Sequence, residues 1–404
     1  MKKDFILKIF EGFSIVRWND LVRPFDVVEM DKDAEKLVVA YIIGKFEEHR
    51  GVKIDWEWMI YASLFDLLRK IALCDIKSPV QRLIKTEYPD EFVRLNEWVL
   101  EQYRQLIPDK QLFSRFTLYI GKMSGSIPYE DAQEQTARVF RAAHKYSTLR
   151  ELEMIGMVNE PQRLERIRRE LNADLQKYLD LQGLQLLMTR QKPFDFLMRI
   201  EQLRFQTRWN QTPRVPRTSV LGHCFFVAIL TLLLGRETGV RFCGRRFYNN
   251  FFCALFHDLP EAVTRDIISP VKQATEGLPS IVKNIEDKIV ASELVPLMED
   301  FYRDEILYFT NDEFADRISR DGTVVHVPFG ELNSRYNEDR FDPVDGRIVR
   351  IADHYSALLE ADLSMSHGIT SKQLRDGKAN LLKAYPAGTV ISGIDVHALF
   401  QSFA

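Results

Sequence analysis

The sequence predicts an all-α fold of two similar halves, and three observations carry that prediction. Long apolar runs keep helical rather than strand periodicity, and three stretches of the first half return in the same order in the second. A chain of 404 residues is also too long for one ordinary core but suits two of roughly 150 to 200 residues.

The helices follow from their spacing. In RRFYNNFFCALFHD, Phe247, Phe251, Phe252 and Leu255 fall near i, i+4, i+5 and i+8, the mark of a core-facing helix, and Pro260 ends it just past His257 and Asp258. Upstream, VLGHCFFVAILTLLLG is a buried helical run with His223 in its first turn. Downstream, GRIVRIADHYSALLEADL is a third, with Asp353 on its apolar side. Between the halves, Leu164, Ile167, Leu171, Leu175 and Leu179 recur at helical spacing, so the linker reads as an amphipathic helix rather than a flexible tether. One departure from helix is expected at DGTVVHVPFG (321–330), a short β excursion between turn residues, with His326 a solvent-facing strand residue.

The repeat sets the domain organisation. IVRWNDLVRP (15–24) matches QTRWNQTPRV (206–215), SLFDLLRKIALCDIKSPV (63–80) matches ALFHDLPEAVTRDIISPV (254–271), and RVFRAAHKYSTL (138–149) matches RIVRIADHYSAL (347–358). The first two matches share one offset without gaps. The predicted domains are 1–158 and 196–404, joined by a helical linker over 159–195. Between the SPV motif and the last matched helix the second half carries 18 more residues. This insertion, within 300–346, reads either as a cover over a neighbouring site or as a surface elaboration.

His223, His257, Asp258 and Asp353 are the residues that carry chemistry. Singly, a buried His is ordinarily a hydrogen-bonded core residue and a buried Asp a cap or ion-pair partner. Together they supply imidazole nitrogens and carboxylate oxygens for one divalent ion and leave positions for water and substrate. The adjacent pair anchors the set, because neighbouring residues can reach one ion only where the backbone turns.

In this order and spacing the chain resembles the HD-domain metal phosphohydrolases, whose signature is H…HD…D, and within them the bacterial 5'-deoxyribonucleotidase (YfbR-like) family. The likeness covers roughly residues 197 to 370. It extends to Arg208-Trp209, Arg217, Glu261 and Asp266 in HDLPEAVTRD, and SPVK ending at Lys272. The resemblance implies one divalent metal ion held by His223, His257, Asp258 and Asp353, with Mn, Co, Fe, Zn, Ni and Mg all open. It implies Glu261 and Asp258 in catalysis, Arg208 and Lys272 on the phosphate, and Trp209 and Asp266 on the sugar. The implied reaction is release of phosphate from (deoxy)nucleoside 5'-monophosphates by a metal-activated water. Two alternatives stay open: hydrolysis of nucleoside triphosphates, cyclic dinucleotides or alarmones, and a noncatalytic nucleotide sensor.

In the alignment of the halves Asp66 stands at His257, Leu67 at Asp258, Lys70 at Glu261 and His144 at Asp353, and the segment Lys32 to Glu35 offers no histidine for His223. A Leu for a ligand and a Lys for the acid leave a site that neither holds an ion nor moves a proton. The first half therefore reads as a degenerate HD-like domain. Arg17, Trp18 and Asp75 keep the phosphate and sugar positions, which fits either a nucleotide-binding regulator or retention for packing.

Net charge is −3, from 55 basic and 58 acidic side chains, so no overall field favours nucleic acid or an anionic membrane, and a small nucleotide is the expected partner. Cys74, Cys224, Cys243 and Cys253 show no CxxC spacing, and three lie in apolar helical stretches, which fits a reducing cytoplasm. The start, MKKDFILKIFEGF, breaks its apolar run with Asp4, Lys8 and Glu11 and is no signal peptide, and the run from Cys224 to Leu234 is too short for a bilayer. Related nucleotidases pair as dimers, so the tandem suggests an intramolecular pseudo-dimer or a homodimer.

Overall fold

The computed structural model describes residues 2–74, 76–265, 275 and 277–403. It divides into two compact units, Met1–Ala40 with Gly51–Tyr178, and Tyr41–Arg50 with Leu179–Ala404. Both are helical. Among the described residues, strands are confined to one three-stranded and one two-stranded sheet.

The first unit packs around the Trp56–Leu73 helix. Asp55 caps it by accepting from Trp58 N at 2.9 Å, and Ile60, Leu64, Phe65, Leu67 and Leu68 are buried. The Asp131–Gly156 helix lies against it, and the Pro161–Gln176 helix packs on the latter through Leu164, Leu171 and Leu175. The amphipathic stripe expected over 159–195 is carried by separate helices, Pro161–Gln176, Gln182–Met188 and the start of Lys192–Phe205.

The second unit is built on the Val220–Glu237 helix, in which every residue from Val220 to Gly235 is buried. Its 18 residues, with mean hydropathy 1.6, reach the length and apolarity of a membrane span, but 89% of the stretch is buried inside the protein. A helix apolar all round needs partners on every side, and Gly244–Phe256, Gly346–Ser366 and Lys192–Phe205 supply them. Ser219 sets its start by accepting from Gly222 N at 2.8 Å.

The insertion forms an antiparallel hairpin, Asp316–Arg320 with Thr323–His326, and Val344–Asp345 adds a third strand beside the first. The β excursion therefore begins before residue 321. Asp321 and Gly322, at φ 51° and 75°, are the two-residue turn rather than its boundary, as left-handed backbone at both central positions requires. His326 is exposed, as expected. The strand returns to the Gly346–Ser366 helix so closely that a Cβ on Gly346 would stand 2.4 Å from Ala315 backbone atoms. The insertion is tied to the start of the 244–256 helix, where Asp345 accepts from Nε and Nη2 of the buried Arg246 at 2.8 and 2.6 Å and Asp342 takes Arg245 at 2.6 Å. At a rise of about 1.5 Å per residue that anchor lies roughly 16 Å along the axis from His257.

Candidate metal centre

Two helix ends and one helix middle bring the predicted donors together. His223 sits in the first turn of the 220–237 helix, His257 is the C-cap of the 244–256 helix, and Asp258 follows in the turn. Asp353 lies two turns into the 346–366 helix. Both histidines are buried and their ring centroids are 5.4 Å apart. His223 Nε2 is 3.2 Å from Asp353 Oδ1 and 3.8 Å from Asp258 Oδ2, and His257 Nε2 is 3.3 Å from Asp258 Oδ2.

The orientation of the two rings is fixed from behind. His257 Nδ1 donates to the Ala254 carbonyl at 2.7 Å, and His223 Nδ1 shares a 3.0 Å hydrogen bond with Ser356 Oγ. Each Nε2 then faces the carboxylates, close but out of hydrogen-bonding alignment, so both are buried nitrogens without a hydrogen-bond partner. Leaving two such atoms unsatisfied costs about 1–3 kcal/mol each, which a cation on their lone pairs removes. One donor group joins His223, His257 and Asp353, and a second joins Cys224, His257 and Asp258, with all atoms in each within 4.8 Å of one another. The residues present thus fit a divalent ion.

Arg208 lies across the carboxylates, 3.7 Å from Asp258 and 3.8 Å from Asp353, with Glu360 at 3.3 Å on its other side. Burial disfavours every charge here, and the partners win. Asp258, among His257, His223 and Arg208, is held down to about 2, and Asp353 sits well below the carboxylate range through His223 and Arg208. Glu360 is likewise held down to about 2 by Arg208 and Arg214, and Arg208 is raised in turn.

Trp209 is reached through the same glutamate. Its indole N–H donates to Glu360 Oε2 at 2.8 Å, and its ring rests on the 372–384 helix at Gly377, where a Cβ would stand 2.7 Å from the indole edge. Glu261 opens a four-residue helix after the turn, its backbone N–H donating to the Asp258 carbonyl at 3.0 Å, and its charge contributes to the field on Arg208. Arg217 is exposed. Asp266, Lys272 and Asp75 lie outside the described residues.

Sequence reasoning passed over Glu360, Ser356, Thr218 and Cys224. Glu360 accepts from Thr218 at 2.7 Å as well as from Arg208 and Trp209, and it organises this side of the site. A signal for it was present: it lies two turns after Asp353 on the same buried face, and the aligned residue of the first half is also an acid, Glu151.

The first unit holds a comparable arrangement with different cations. Arg17 pairs with Glu29 at 2.6 Å and Glu151 at 3.1 Å, and Trp18 donates to Glu151 at 2.9 Å. Trp18 and Trp209 share the same left-handed backbone, φ 56°. Lys32 donates to the His144 carbonyl at 2.9 Å and to Ser147. Lys36 pairs with Asp33 and Asp66 at 2.7 and 2.5 Å, and Lys70 with Asp33, Glu29 and Asp66 at 2.5, 2.8 and 3.2 Å.

No curated protein matches the chain. A family model described as an HD domain matches residues 200–382. The match spans Arg208, Trp209, His223, His257, Asp258, Glu261 and Asp353, and it supports the HD-domain superfamily for residues 200–382.

Proposed function

We propose that this HD domain is a metal-dependent phosphohydrolase that releases phosphate from nucleoside 5'-monophosphates, with deoxyribonucleotides as the preferred class. The observation that carries the reading is the pair of buried imidazole nitrogens, His223 Nε2 and His257 Nε2, without a hydrogen-bond partner opposite Asp258 and Asp353. A divalent cation, when bound, lowers the pKa of water and offsets phosphoryl charge. Arg208 contacts Asp258 and Asp353 only loosely, so phosphoryl oxygens compete for that edge of its fork while Glu360 holds the other. Glu261, one turn beyond Asp258, is the candidate for proton transfer. Trp209 spends its N–H on Glu360 and presents its ring as a flat surface for sugar or base. Lys272 on the phosphate and Asp266 on the sugar rest on the resemblance alone.

The first unit, in the same reading, is a degenerate copy that holds lysines where the second would hold an ion. The paired Arg-Trp-Glu sets and the placement of Lys32, at the position aligned with His223, support it.

The test is phosphate release from a panel of deoxy- and ribonucleoside mono-, di- and triphosphates with Mn²⁺ or Co²⁺, comparing wild type with Asp258→Ala and Glu261→Ala. Release confined to monophosphates, and lost in both variants, is the expected result. Cleavage of triphosphates or alarmones in their place would leave a hydrolase of a different substrate class. Absence of any cleavage would remove the enzyme reading.

A further inference from the structure

We infer that Cys224 is a sulfur donor to the metal centre, and that the site is therefore built for a borderline or soft first-row ion such as Zn²⁺, Fe²⁺ or Co²⁺ rather than Mg²⁺. The inference deepens the metal-centre reading and rests on it.

Cys224 follows His223 on the 220–237 helix and is 1% exposed. Its Sγ, a nitrogen of His257 and an oxygen of Asp258 lie within 4.8 Å of one another. Two donors about 2.0 to 2.3 Å from one ion stand at most about 4.6 Å apart, so the group is at coordination span after small side-chain shifts. The second observation is His257 itself. It is 4% exposed, its Nδ1 is committed to the Ala254 carbonyl, and its Nε2 has no hydrogen-bond partner. His257 belongs to both donor groups, the one with His223 and Asp353 and the one with Cys224 and Asp258, so the sulfur stands beside the same imidazole as the oxygens. The first unit supplies a geometric parallel. Asp33, at the aligned helix position, is buried and takes both Lys36 and Lys70, so a side chain from this position reaches the space where the cations gather.

The chemistry distinguishes Cys224 from the other cysteines. Cys253 donates to the Phe309 carbonyl at 3.2 Å and lies 3.6 Å from Arg317, Cys74 is exposed and Cys243 is half-buried at a helix start. On coordination the Cys224 thiol releases its proton to water and its sulfur pair goes to the ion, with no change of oxidation state. Thiolate ligands favour Zn²⁺ and the later first-row ions, whereas Mg²⁺ takes oxygen.

The experiment loads metal-stripped full-length protein with Co²⁺ and records the near-ultraviolet thiolate-to-cobalt charge-transfer band beside the visible cobalt bands. The controls are Cys224→Ser, Cys224→Ala and Cys74→Ser. The expected result is a charge-transfer band in wild type and Cys74→Ser that disappears in both Cys224 variants while visible cobalt bands remain. Visible bands without a charge-transfer band in wild type would overturn the sulfur ligand and leave the His/Asp centre standing. No stoichiometric cobalt uptake in wild type would overturn both. Should one Cys224 variant fold poorly, the band's loss or persistence in the other decides.

Discussion

His223 and His257 face the same carboxylates and are pushed in opposite directions. Burial and then Arg208 hold His223 below its ordinary value, whereas at His257 burial is overcome by Asp258 and Cys224 and the imidazole holds its proton more tightly. A cation and that proton compete for one lone pair, so metal uptake releases protons and weakens as pH falls. Away from the site, Asp316 shows the reverse sign for a carboxylate. Burial and Asp345 outweigh the Arg347 N–H and raise it from 3.8 to about 6. The folded state then binds more protons than the unfolded between those values, so stability falls as pH rises through that window and stays lower above it. Two pKa units correspond to about 3 kcal/mol at most. Asp316→Asn should therefore be more stable than wild type by about 1–2 kcal/mol at pH 7 to 8, with the advantage gone by pH 4, as read by denaturant titration at each pH. An unchanged difference across that range would mean that Asp316 does not titrate there.

At the scale of elements, the site depends on where helices stop. The 244–256 helix ends at His257 because Pro260 cannot continue it, and that turn lets adjacent residues face one space. The 372–384 helix has a less visible part, since it carries Gly377, the seat of the Trp209 ring. Gly377→Ala puts a methyl group 2.7 Å from the indole, so the ring or the helix must move. The expected outcome is a loss of about 1–3 kcal/mol in stability, a shifted tryptophan emission, and a KM for nucleotide that rises more than kcat falls. A shifted emission with an unaltered KM would show that Trp209 does not meet the substrate.

At the scale of the whole molecule the question is how many ions the chain holds. The first unit compensates its carboxylates internally: Lys70 is held well above its ordinary value by Asp33, Asp66 and Glu29 against burial, and Glu29 is held down to about 2 by Arg17 and Lys70. Three side-chain cations, Arg17, Lys36 and Lys70, already stand among these carboxylates. Metal analysis of the purified chain should give one ion, not two, and removing it should lower the melting temperature. Lys70→Met should leave that stoichiometry intact yet cost about 3–5 kcal/mol, because it strips buried carboxylates of their partner. Two ions per chain would sink the degenerate-copy reading.

The sequence by itself determined the helical class, the helix ends at His257 and Asp258, and the residue types that meet at the site. Periodicity and proline act locally and need no tertiary context. His223, His257, Asp258 and Asp353 were legible because a ligand type inside an apolar run is conspicuous wherever the run packs. Only the tertiary structure decided what stands behind those residues. Ser356 and the Ala254 carbonyl turn the rings, Glu360 joins Arg208 to Trp209, Cys224 points inward, and Lys32, Lys36 and Lys70 fill the first unit. An acid, a serine or a lysine in a helix reads as solvent-facing until its burial and its partners, set by contacts between helices distant in sequence, are known.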